Sequence, residues 1–185
     1  MVSSDTTVSD EIMIRRAKTR YHWPEVQLNF WLLIMIVGTA TILGIFANFM
    51  AVQTQLQVGT PWYFPYWVTV AAITLVFILT MLWLINQRQL LPGIVMMGSF
   101  ICFVLWMVGL VVISLQLWGP SGSVNGDCNI YVISEQSKGA SIETLAWLEQ
   151  RSICQCWTAV WAFQLVGCIF LLWMMIMAYQ VYTGQ

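Results

Sequence analysis

No Asp, Glu, Lys or Arg interrupts residues 26 to 87, residues 89 to 126, or residues 152 to 185 of this chain. An unbroken apolar run of that kind belongs in a bilayer, where every backbone N–H and C=O must be satisfied within the protein. Only helices and closed barrels meet that condition. A membrane barrel needs segments of about ten residues that alternate apolar and polar, and residues 100 to 113 do not alternate. The chain is therefore expected to be all-α. Charged residues make up 8% of it, against about 25% in soluble domains.

A hydrocarbon core of about 30 Å takes roughly 20 residues of helix. Four segments are long enough, at about 28–52, 66–85, 90–117 and 156–181. The first is not a cleavable signal peptide, because a polar and charged tail precedes it and its apolar run exceeds an h-region. The expected fold is a polytopic membrane protein, a four-transmembrane-helix antiparallel bundle. It divides into a cytoplasmic N-terminal segment, 1–27, and a transmembrane domain, 28–182, that contains one long outer loop, 119–153.

Orientation follows from the basic residues near the span ends. Arg15, Arg16, Lys18 and Arg20 precede the first span, Arg88 lies in the second connection, and Lys138 and Arg151 lie in the third. This asymmetry puts both termini in the cytoplasm. The four N-terminal basic residues are placed against the anionic inner leaflet, at roughly 1 kcal/mol each when close to the surface. The first connection, 53–65, then faces outward without charge, and its Pro61, Trp62, Tyr63, Phe64 and Pro65 read as an interfacial aromatic belt. The second connection, 86–92, is a tight turn that would make a hairpin of the second and third helices.

In the long third connection, residues 119–127 are rich in Gly, Pro and Ser and read as irregular chain. Ser141 then offers an N-cap and Glu143 suits the first turn of a helix. Ile142, Leu145, Ala146 and Glu149 keep helical spacing, so a short amphipathic helix is expected over 141–150, resting on the outer leaflet or capping the bundle.

The spans hold no ionisable Asp, Glu, Lys, Arg or His, which proton-coupled transporters use to carry charge. His22 is the single histidine, and it precedes the first span. A bis-histidine haem and a histidine-rich metal site are excluded, and no general acid/base pair can be built within the membrane. A net charge of −1 leaves no basic footprint for nucleic acid. The chain is expected to be no enzyme, with no cofactor and no metal. Polar span residues Thr39, Thr41, Asn48, Thr69, Thr74, Thr80, Ser99, Ser114, Gln116, Thr158 and Gln164 are expected to form interhelical hydrogen bonds, worth about 0.6 kcal/mol each. Lining a path for a small solute is their other possible use.

Of the five cysteines, Cys102 and Cys168 fall inside spans and read as small packing residues. Cys128, Cys154 and Cys156 lie in or beside the long loop, on the side read as oxidising. Cys128 with Cys154 is the first choice of bridge, since both belong to the loop proper, and Cys156 is the second choice of partner. The Cys-x-Cys spacing is not that of a dithiol oxidoreductase, which sets aside a quinone-linked thiol enzyme. Ala40, Gly44, Ala47, Gly98, Ala159 and Ala162 are small enough to let helices meet closely, and Gln164 joins them as a helix-contact candidate.

Four spans with a short first and a longer, cysteine-bearing second outer loop resemble the MARVEL-like tetraspan proteins. The stretch Cys128-Asn129, then Cys154-Gln155-Cys156-Trp157-Thr158-Ala159-Val160-Trp161-Ala162-Phe163, then Cys168-Ile169-Phe170-Leu171 is similar to the fungal MARVEL-domain, non-classical export protein family. Claudin-like proteins pair cysteines in the first outer loop, and tetraspanins carry Cys-Cys-Gly in the large one. Both features are missing here. The resemblance implies a non-enzymatic scaffold for membrane organisation or sorting, in the plasma membrane, with sterol- or sphingolipid-rich lipids as partners. A subunit beside a larger membrane complex, or a self-associating protein, fits the same features. The competing class is a small channel or facilitator for a neutral solute.

Overall fold

The computed structural model describes Trp23 and residues 25–57, 59–87, 91–119, 123–133 and 142–184. Among them there is helix and no strand: α1 is Glu25–Gln55, α2 Tyr63–Asn86, α3 Pro92–Trp118, α4 Val124–Cys128, and α5 Ile142–Thr183, with a π-helical turn at Asn129–Ile133 between the last two. Four segments, Val26–Gln55, Tyr63–Asn86, Pro92–Trp118 and Ala146–Thr183, are long and apolar enough to cross a membrane. The protein is accordingly an integral membrane protein. Arg15, Arg16, Lys18, Arg20, Arg88, Lys138 and Ser141 lie outside the described residues, as does the side chain of Glu143.

Two expectations about the long connection are corrected. The helix expected over 141–150 is not a separate element: α5 runs without a break from Ile142 to Thr183, 42 residues. The intervening Arg151-Ser152-Ile153-Cys154-Gln155 contains no Gly or Pro to stop it. At 1.5 Å per residue the helix is about 63 Å long, twice a hydrocarbon core of about 30 Å. Its first turns extend the span along its own axis instead of lying across a leaflet. Nor is 119–127 irregular throughout. The Ser123 hydroxyl accepts a hydrogen bond from the Gly126 N–H at 3.1 Å, capping α4. This is the N-cap chemistry expected of Ser, hidden in a stretch whose composition resembles a loop.

Packing centres on large aromatics set against glycine. Trp31, Trp67, Trp106 and Phe46 are each at most 1% exposed. The Trp67 ring of α2 lies on Gly109 of α3, and the Trp106 ring of α3 lies on Gly167 of α5, so close that a Cβ at either glycine would overlap the indole. Trp67 and Trp106 meet edge to face at 5.7 Å, and Phe46 of α1 stacks on Trp67 at 6.0 Å. One aromatic relay thus links all four long helices. In lipid, where tails are as apolar as Leu, such van der Waals contact rather than escape from water holds helices together. The most extensive pairings are α3 with α5 and α1 with α2, and α2 packs less extensively on α3.

Candidate functional site

The polar residues of the spans bond both within and between helices. Thr41, Thr69, Thr74, Thr80, Ser114 and Thr158 each donate to the carbonyl four residues earlier in their own helix. A short hydroxyl reaches that carbonyl without leaving its turn. The bonds between helices are donated by long aromatic side chains, and two of them end on Thr74 and Ser114, residues expected to bond between helices. Trp31 Nε1 donates to the Phe170 carbonyl at 2.7 Å and Tyr66 Oη to the Leu105 carbonyl at 2.8 Å. Trp106 Nε1 donates to Thr74 Oγ1 at 2.9 Å, and Trp161 Nε1 to Ser114 Oγ at 3.1 Å. Gln164 is fully buried, and neither its amide nitrogen nor its amide oxygen has a hydrogen-bond partner. The hydroxyls of Thr39 and Ser99 and the indole N–H of Trp67 are likewise buried and unpartnered.

The small-residue candidates divide in two. Gly98 sits against the Phe77 ring, and Ala159 is half-buried. Ala40, Gly44 and Ala47 are exposed, as is Ala162, and a Cβ on Gly44 would meet nothing within 4 Å. At spacings of four and three, Ala40, Gly44 and Ala47 form an open stripe on the outer face of α1. Close contact inside the chain rests on Gly98, a candidate from the sequence, and on Gly109 and Gly167, which sequence reading missed. A glycine in an apolar run carries no mark of its own, and the available signal was compositional: eleven tryptophans need flat surfaces to lie on.

Cys128 and Cys154 are joined by a disulfide, with Cα atoms 6.0 Å apart, while Cys102, Cys156 and Cys168 are free. The bond ties α4 to the projecting part of α5. Nearby, Trp147 Nε1 donates to the Val132 carbonyl at 2.9 Å and the Arg151 guanidinium lies over the Trp147 ring at 5.3 Å. Two cavities open at this end of the molecule. One, about 620 Å³, is lined by Leu117, Asn125, Trp147, Arg151, Gln155 and Ala159 among others. The second, about 470 Å³, lies between α1, α2 and α5, with Phe49, Gln53, Tyr63, Phe64, Glu149 and Trp157 in its wall. The second cavity revises the aromatic belt of the first connection. Trp62 is exposed as a belt residue should be, but Phe64 is 4% exposed and turned inward.

Among the described residues no group of three or more His, Cys, Asp or Glu is placed to hold a metal ion. What this arrangement offers is surface: an open stripe of small residues on α1, a tightly filled interior, and two cavities at the disulfide end. No family model, curated protein or solved structure matches the chain.

Proposed function

We propose that this protein organises membrane by contact: a non-enzymatic, MARVEL-like scaffold for sorting or lateral association, in the plasma membrane. In this reading its spans form an antiparallel bundle with both termini cytoplasmic. Its partners are membrane lipids, including sterol- or sphingolipid-rich ones, and other integral membrane proteins or a second copy of itself. An accessory-subunit role beside a larger complex is one form of the same activity. The observation that carries the reading is the open stripe Ala40, Gly44 and Ala47 on the outside of a core already filled by Trp31, Phe46, Trp67 and Trp106. Small residues that no neighbour in the chain covers are where another helix or a rigid lipid approaches a transmembrane helix most closely.

Resonance energy transfer between labelled copies in cells tests it, with co-purification as a second readout. Gly44→Leu, which meets open space, should lower clustering or partner recovery while leaving expression unchanged, and Lys138→Ala should alter neither. Unchanged clustering and recovery in Gly44→Leu would contradict the reading. A facilitator for a neutral solute is the second reading, favoured by one observation, the unpartnered polar atoms of Thr39, Ser99 and Gln164 within the core.

A further inference from the structure

We infer that the cavity between α1, α2 and α5 is a binding site for the ammonium headgroup of a membrane phospholipid. The inference deepens the proposed function by giving one lipid contact a chemical identity, and rests on that reading only for its biological use.

The walls select for a cation. Trp157 of α5 has three aromatic neighbours, Phe49 of α1 at 6.1 Å and Tyr63 and Phe64 of α2 at 6.2 and 6.3 Å, and all four rings line the cavity. Aromatic faces carry partial negative charge, and cages of them recognise quaternary ammonium groups. Glu149 lines the same space. Gln53 also lines it, and its side-chain oxygen is buried without a hydrogen-bond partner. An acidic side chain, an amide and four aromatic rings, with no Lys, Arg or His among the lining residues, make the space electron-rich and disfavour an anion.

The depth selects for a lipid. Gly167 of α5 lies beneath the Trp106 ring, near the middle of α3 and so near the bilayer midplane. Along the helix, Trp157 is roughly 15 Å from that level and Glu149 roughly 27 Å. The hydrocarbon ends about 15 Å from the midplane and the headgroup layer about 20 to 22 Å from it. The cavity therefore spans the boundary where a phospholipid presents its amine. At about 470 Å³ it is within the range of small-ligand sites, about 300 to 1,000 Å³, and Val52 and Ile153 in its wall suit the start of an acyl chain.

The full chain, purified in mild detergent, can be titrated with phosphatidylcholine, phosphatidylethanolamine and phosphatidylglycerol and read by native mass spectrometry. Either ammonium lipid should be retained about tenfold better than phosphatidylglycerol, the size of one well-placed cation contact. Glu149→Gln should remove most of that preference. Glu149 is exposed, so this change does not threaten the fold. Phe49→Leu should reduce it independently, whereas Arg151→Gln, on the other cavity, should preserve it. Equal retention of the three lipids, or a preference that survives both Glu149→Gln and Phe49→Leu, would overturn the site. Saturation by free choline in place of lipid, at matched ionic strength, would overturn the lipid assignment. The measurement is made on dispersed protein, so it succeeds or fails separately from clustering in cells.

Discussion

Replacing Gln164 by Leu should stabilise this protein, although Gln164 is among its most deeply buried side chains. Its amide is fully enclosed with neither end paired. Leaving a buried polar group unsatisfied costs about 1 to 3 kcal/mol. Part of that cost is already present when the helices are separated in lipid, where interhelical hydrogen bonds average only about 0.6 kcal/mol. The expected gain is therefore at the low end, about 1 kcal/mol, or roughly 2 to 4 °C in melting temperature for a chain of this size. Thr74→Val should do the opposite, because Thr74 Oγ1 accepts the Trp106 indole N–H at 2.9 Å and its loss strands that donor, at about 1 to 3 kcal/mol. Reversible unfolding in mixed micelles, followed by circular dichroism, compares the two with wild type. If Gln164→Leu destabilises by about 1 kcal/mol or more, the amide has a partner in the working protein, and the core encloses water or a solute.

Further outcomes follow from the packing, the loop and the charge distribution. Gly167→Leu and Gly109→Leu would drive a side chain into Trp106 and Trp67 and should each destabilise by about 1 to 3 kcal/mol or more, seen as lower yield and melting temperature, while Gly44→Leu should fold as wild type. Alkylation in denaturant before and after reduction, read by intact mass, should show three free thiols becoming five, in keeping with the Cys128–Cys154 bond. Removing that bridge with a double Ser substitution should cost about 3.5 kcal/mol on the loop-entropy model, and five thiols without reductant would contradict the bridge. A reporter that fluoresces only in the cytosol should be bright when fused to Gln185, and a dark, well-expressed fusion would reverse the topology.

Four apolar helices were legible because the absence of charge over tens of residues has few other causes. Where those helices meet was much less so. In a soluble helix the buried face is apolar and the other polar, but in lipid both faces are apolar, so Phe46 in the core and Phe100 facing out are indistinguishable by periodicity. Size decided instead, and Gly109 and Gly167 mattered because Trp67 and Trp106 lie across them. Ala40, Gly44 and Ala47 are comparably small and face outward, a distinction that only tertiary packing makes. The Cys128 and Cys154 pair was readable from loop position, whereas the ring cluster around Trp157 draws on α1, α2 and α5 at once and no local pattern announces it.

Light-scattering and isotope-flux measurements on vesicles reconstituted with the purified full chain separate contact from conduction. Water, glycerol and other neutral solutes should cross protein-containing vesicles no faster than protein-free ones, in wild type and Gln164→Leu alike. Passage that rises with protein density and is abolished by Gln164→Leu would contradict the scaffold account and establish a solute path through the core.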